Sequence, residues 1–164
     1  MKIAISYPPI INDHGQKAMV SQNRNVQFFK EPTYLLPVTY AQAATFLDEM
    51  GYEVYWDDGN AQLKTFDEWL DDLKNENPDV IVLESTTPVM KFYWRSVNLI
   101  KKTLPNSIVI MTGYHSMRKP EETMEMSNTD MVLRSSNVDF ALHRLIPAIE
   151  SDKNWRKNYQ GEGM

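Results

Sequence analysis

Five short apolar runs recur along the chain, each followed by a segment of helical periodicity, and this alternation restricts the fold more than any other feature. The runs are Lys2 to Ser6 (KIAIS), Tyr52 to Asp57 (YEVYWD), Asp79 to Glu84 (DVIVLE), Ser107 to Thr112 (SIVIMT) and Asp130 to Leu133 (DMVL). Three of them are β-branched with little polar alternation, as parallel strands covered on both faces are. Between the runs, Tyr40, Ala43, Leu47 and Met50 form one helical stripe, with Gly51 as its stop. Thr65-Phe-Asp-Glu68 is a capping box that opens a second helix carrying Phe66, Trp69, Leu70 and Leu73. A third runs from about Met90 to Thr103 with Trp94, Val97 and Ile100 in register, ending before Pro105. A short fourth opens at Pro120. The fifth aligns Phe140, Ala141, Leu145 and Ile149, with Pro147 expected to kink or shorten it.

Such alternation predicts a doubly wound α/β fold: a five-stranded parallel sheet in flavodoxin-like order 2-1-3-4-5, in three α/β/α layers with right-handed crossovers. Residues Tyr7 to Pro37 interrupt the pattern without clear periodicity, and so long a connection after the first strand marks a functional or disordered loop. At 164 residues the chain suits one domain, expected over 1–150, with the polar stretch 151–164 as a linker or frayed tail.

Composition removes several function classes. Cysteine is absent, so these residues supply no disulfide, thiolate nucleophile, zinc ribbon or iron–sulfur ligand. A net charge of −5 disfavours nucleic acid, whose phosphates need a clustered basic surface. No apolar run approaches a membrane span, and the start MKIAISYPP lacks a signal-peptide core. The expectation is a cytoplasmic, mildly acidic globular domain.

In this architecture ligands gather at the carboxyl ends of strands. The first strand ends Ser6-Tyr7-Pro8-Pro9, the second Asp57-Asp58-Gly59-Asn60 and the third Glu84-Ser85-Thr86-Thr87-Pro88. The fourth ends Thr112-Gly113-Tyr114-His115-Ser116, the fifth Arg134-Ser135-Ser136-Asn137. Two roles fit their hydroxyls: capping the next helix, or binding a polar ligand whose bulk Gly113 admits to the backbone. Asp57-Asp58 reads as a solvated loop start, and Met111, Met117, Met124, Met126 and Met131 as core and gap-filling residues. Receiver-domain acidic residues, a flavodoxin phosphate loop, G-x-G-x-x-G, a P-loop and H-E-x-x-H are all missing.

A family resemblance spans nearly the whole chain. Tyr7-Pro8-Pro9 is followed by L-P-x-x-Y-x-x-A-A-x-x-L-x-x-x-G-Y-E-V from Leu36 to Val54. Phe66-Asp67-Glu68, Asn77 to Ile81, Thr86-Thr87-Pro88, Leu104-Pro105-Asn106, Thr112 to His115, Pro120-Glu121-Glu122 and Asp130 to Arg134 follow in order. Together they resemble the N-terminal domain of cobalamin-dependent radical S-adenosylmethionine enzymes. The resemblance implies a cobalamin-binding module that positions a corrin for a partner catalytic domain. It places cofactor contacts at Tyr7, Pro8 and Pro9, at Ser85, Thr86 and Thr87, at Thr112, Gly113, Tyr114 and His115, and at Arg134 and Ser135.

The sequence also departs from the family. Leu133-Arg134-Ser135-Ser136-Asn137 stands where V-R-G-E-G-E is common, Thr39 replaces a glycine, and Thr112-Gly113-Tyr114-His115 stands where Gly-Gly-Pro-His is usual. The C-x-x-x-C-x-x-C cluster motif is missing, so the iron–sulfur cluster and S-adenosylmethionine would belong to a parent enzyme's other domain, in the same or another chain. In methionine-synthase-type cobalamin domains the cobalt histidine sits in D-x-H-x-x-G. Here Asn12 and Lys17 occupy the Asp and Gly places around His14, so an exposed loop histidine and base-off cobalamin without a protein ligand are expected. His143 is expected at the surface. The alternative is a cobalamin-free relative serving as a scaffold or docking module. A free-standing sensor or enzyme has no nucleophile–base pair to support it.

Overall fold

The computed structural model describes residues 1–20, 26–29, 35–152 and 154–155. Its main sheet is built from β1 (Lys2–Tyr7), β4 (Glu53–Asp58), β5 (Val80–Glu84), β6 (Ile108–Thr112) and β7 (Met131–Val132). The order is β4-β1-β5-β6-β7, the doubly wound 2-1-3-4-5 arrangement, and every pair is parallel. A separate antiparallel hairpin joins β2 (Lys17–Val20) to β3 (Val26–Phe29).

Strand β1 shows why both faces are buried. Ile3, Ile5 and Tyr7 point to one side, where α1 (Val38–Glu49) and α6 (Val138–Ser151) bring Ala43, Leu47, Leu142 and Ile146. Ala4 points to the other, where α2 (Phe66–Glu76) and α3 (Met90–Thr103) bring Trp69, Leu73, Tyr93, Val97 and Ile100. The period-2 alternation of a strand thus feeds two cores from one apolar run. Each fully buried aliphatic side chain contributes about 1.5–3 kcal/mol relative to exposure. The short α4 (Tyr114–Arg118) and α5 (Pro120–Met126) complete the chain's path from β6 to β7.

Local signals set the helix ends. Thr65 and Glu68 form the reciprocal capping box of α2, while Asn77, in the left-handed conformation ahead of Pro78, ends it. Gly51 at φ +88° closes the turn after α1. Pro147 does not end α6, which continues to Ser151.

Several expectations need correction. The stretch 7–37 is not featureless, because its hairpin is anchored by an Ala18 N–H donating to the Ile10 carbonyl (2.7 Å), with both side chains in the α2–α3 core. Phe140 is 60% exposed, and α6 buries Val138, Leu142, Leu145, Ile146 and Ile149 instead. Met124 and Met126 lie on the solvent side of α5, although Met111 is core. Helix α4, begun by the turn at Gly113, was not foreseen. Ser151 belongs to α6, and Trp155 is buried in the same core as α1 and α6; residues 156–164 lie outside the described residues.

Because Trp155 fills core space, Trp155→Ala should cost about 3 kcal/mol or more. Urea unfolding measures this directly, and a change below about 0.5 kcal/mol would mean that the segment after α6 adds nothing to the fold.

Candidate functional site

The chain leaving β1 goes to β4 on one side and the chain leaving β5 goes to β6 on the other, so the switch point of the sheet lies between β1 and β5. Tyr7 and Glu84 end these two strands. The Tyr7 hydroxyl donates to Glu84 Oε2 at 2.8 Å, with both side chains buried. Behind them the Tyr40 hydroxyl lies 3.4 Å from Thr112 Oγ1, and the Tyr7 ring meets Tyr40 edge-on at 6.0 Å and Trp56 at 5.9 Å. Burial, and then the Glu84 charge, push the Tyr7 phenol well above its ordinary range, so it remains a hydrogen-bond donor.

One strand over, the acidic pair of β4 is buried rather than solvated. Register places Asp57 beside Ser6 and Asp58 beside Tyr7. Trp69 Nε1 donates to Ser6 Oγ at 2.7 Å, Ser6 Oγ to Asp57 at 3.2 Å, and Lys64 Nζ to Asp57 at 2.7 Å. Lys64 also pairs with Asp72 at 2.7 Å. Burial works against the Lys64 charge, yet its bonds to Asp57 and Asp72 outweigh it and hold the ammonium above its usual range. Asp58 accepts the Asn60 and Ala61 N–H groups at 3.1 and 3.0 Å. Burial raises the pKa of both aspartates, against Lys64 for Asp57 and against the two N–H donors for Asp58.

The residues predicted from the strand ends divide into two sets. Tyr7, Pro8, Pro9, Ser85, Thr86, Thr112 and Gly113 are buried. Pro8 and Pro9 lie under the loop after β4, where Asn60 Nδ2 donates to the Pro8 carbonyl and Asn60 Oδ1 accepts the Ile10 N–H. Ser85 Oγ donates to the Thr112 carbonyl at 3.1 Å and meets Ser116 Oγ at 2.9 Å. Thr87, Tyr114 and Arg134 are exposed and Ser135 half-buried; they form the rim. His115 lies between the sets, 9% exposed, with Nδ1 3.3 Å from Thr87 Oγ1.

Gly113 is needed for a reason different from the expected one. It sits at φ +93°, and a Cβ there would collide with the Ser85 carbonyl oxygen and lie 2.8 Å from the Ser85 nitrogen. The protein's own backbone fills the space that the sequence assigned to a ligand. Tyr40, Asn60 and Glu84 organise the site without having been singled out. Tyr40 was hidden in a helical stripe, and Asn60 had only the turn string Asp-Asp-Gly-Asn as a signal.

His14 is exposed on a tight turn in which its N–H donates to Asn12 Oδ1 at 3.0 Å, and His143 is exposed on α6. Among the described residues no group of three His, Asp or Glu side chains is placed to hold a metal ion, and no helix is long and apolar enough to cross a membrane.

Fold and edge geometry define a flavodoxin-like α/β domain with a polar carboxyl edge. Among solved structures it is similar to the radical S-adenosylmethionine methyltransferase TsrM from Kitasatospora setae, with tryptophan and a SAM analogue bound, at TM-score 0.67 and 13% identity over 93% of this chain. It is also similar to OxsB, a cobalamin-dependent S-adenosylmethionine radical enzyme with aqua-cobalamin bound, at TM-score 0.66 and 17% identity over 92% of this chain. The chain spans 26% of the former's length and 19% of the latter's. The receiver domain of the response regulator NarL from Mycobacterium tuberculosis matches at TM-score 0.52 and 11% identity over 93% of this chain, which spans 97% of that domain. No family model and no curated protein matches the sequence.

Two outcomes follow from the edge. Gly51 has a similar φ (+88°) but open space at its Cβ, so Gly51→Ala should cost about 1 kcal/mol. Gly113→Ala should cost about 1–3 kcal/mol more, from the collision with Ser85. Equal midpoints in urea for the two variants would refute that contact. A raised folded pKa means that the native state holds its proton more tightly than the unfolded chain, so Asp58 withdraws stability as pH rises above the ordinary aspartate range. Asp58→Asn keeps the Oδ1 acceptor and removes the titration. Its stability relative to wild type should therefore climb as pH rises above about 4, whereas parallel pH profiles would contradict the burial cost.

Proposed function

We propose that this chain is a cobalamin-binding module, without chemistry of its own, that positions a corrin for a radical S-adenosylmethionine domain in the same or another chain. The observation that carries the reading is the likeness, over 92% of this chain, to about a fifth of an enzyme whose structure holds aqua-cobalamin. That likeness agrees with the sequence blocks running from Tyr7 to Arg134. The residues present fit such a ligand. Thr87, Tyr114, Arg134 and Ser135 offer polar contacts on an exposed rim, and the buried Trp94 Nε1 and His115 Nε2 have no hydrogen-bond partner among the described residues.

The buried set would keep the rim in place: Ser85 ties the β5 exit to β6, and the Asn60 loop holds Pro8. Bound cobalamin would supply the reactive cobalt, and this chain would bind and orient it. With His14 on an exposed turn, no histidine of this chain would ligate the cobalt, and a base-off state would be expected. Cysteine is absent here, so the cluster that cleaves S-adenosylmethionine would come from the partner domain.

One observation favours the second reading, a cobalamin-free scaffold. The switch-point crevice is filled by Tyr7, Tyr40, Trp56 and Glu84, and Tyr7 is hydrogen-bonded to Glu84.

Incubation with hydroxocobalamin followed by desalting separates the two. The module should retain the visible corrin absorption, His14→Ala should retain it equally, and Tyr114→Ala should bind about tenfold more weakly, about 1.4 kcal/mol. A folded, colourless wild-type protein would leave the scaffold reading in front.

A further inference from the structure

Three buried side-chain atoms lack a hydrogen-bond partner among the described residues: the Tyr93 hydroxyl, Trp94 Nε1 and His115 Nε2. Two of the three belong to rings in contact. Trp94, in the second turn of α3, meets His115, at the start of α4, edge to face with centroids 5.9 Å apart and planes at 73°. Both residues are buried, at 7% and 9% exposure, and the His115 side chain is 10% exposed. Buried polar groups are nearly always partnered, so two orphans on touching rings call for an explanation.

Their chemistry limits what could satisfy them. Indole Nε1 is a donor only. With Nδ1 accepting from Thr87, His115 Nε2 is a donor as well; with Nδ1 donating to Thr87, Nε2 is an acceptor. Glu122 Oε2 lies 3.7 Å from Nε2, and its side chain is 43% exposed. That is beyond hydrogen-bond reach but close enough to oppose an anion beside the ring. Lys119, 3.9 Å from Glu122, is 65% exposed and offsets little of that charge. A carboxylate or phosphate is therefore disfavoured. A ketone or ester carbonyl would accept the same N–H groups but offer Glu122 no donor.

We propose that Trp94, His115 and Glu122 form a subsite for a neutral primary carboxamide. Its carbonyl oxygen accepts from the indole N–H and from Nε2–H, and its amide N–H group donates to the Glu122 carboxylate, or to Nε2 in the other tautomer. The identity of the ligand, though not its chemistry, rests on the cobalamin reading, because the rim of the corrin bears primary amide side chains. Thr87, exposed above His115, places the subsite directly under the proposed binding rim.

The test uses the whole chain labelled with ¹⁵N. The sequence has four tryptophans, and the Trp94 indole resonance is identified by side-chain assignment and checked with Trp94→Phe. Propionamide and propionate are titrated separately at neutral pH. Propionamide should move the Trp94 indole and His115 ring signals saturably, while propionate leaves them in place. In Glu122→Gln, which lifts the repulsion, the two probes should differ less. No response to propionamide, or an equal response to propionate in the wild type, would overturn the subsite. In a parallel arm hydroxocobalamin should shift the same indole signal. If hydroxocobalamin fails to bind while propionamide still acts, the cobalamin reading falls and the amide subsite stands.

Discussion

Strand β1 is paired on both sides, and this double pairing governs where the polar groups of the carboxyl edge can go. Because β4 and β5 are both in parallel register with it, Ser6 comes level with Asp57 and Tyr7 with Asp58, while Glu84 falls level with Thr112 one strand further on. None of these side chains can turn to solvent, since helices cover both faces. Each must find a partner inside. Ser6 takes the Trp69 indole and serves Asp57, Lys64 answers Asp57, Asn60 and Ala61 answer Asp58, and Tyr7 answers Glu84.

The same arrangement divides the edge into a framework and a rim. Framework residues spend their hydrogen-bonding capacity on one another, so they set the shape of the strand exits and are not free to reach outward. Gly113 belongs with them: the Ser85 backbone stands where its side chain would be. Thr87, Tyr114, Arg134 and Ser135 remain accessible above. A rigid base with a short accessible rim suits positioning, which needs fixed contacts more than it needs a proton acceptor or nucleophile. Trp94 and His115 are the exception, since Trp94 Nε1 and His115 Nε2 are buried without a hydrogen-bond partner among the described residues, although His115 Nδ1 meets Thr87.

The sheet was legible because period and burial leave few choices. Runs such as Val80 to Leu83 and Ile108 to Met111 lack the alternation of a one-sided sheet, and a strand covered on both faces is the arrangement that buries them fully. Capping at Thr65 and the stop at Gly51 were legible for the same local reason, since the residue chemistry answers backbone groups only one or a few positions away. The hairpin of β2 and β3 was harder to see. Each strand has four residues, and what anchors Ala18 is a contact with Ile10 and the α2–α3 core. Phe140 was misplaced because a helical stripe one position out of phase is equally apolar on paper.

What the residue order determined by itself was the alternation of elements, hence the doubly wound sheet, and the set of strand ends where polar residues collect. Which of those residues face inward was decided by tertiary structure alone. Asp57 and Asp58 read as solvated until parallel register sets them beside Ser6 and Tyr7 and the loop after β4 folds over Pro8 and Pro9. Gly113 reads as an opening for a ligand until β5 and β6 lie side by side and Ser85 occupies it. The physical reason is common to these cases. A hydroxyl, carboxylate or glycine has the same local signature whether its partner is solvent, ligand or protein, and the partner is chosen by contacts between residues that are remote in sequence.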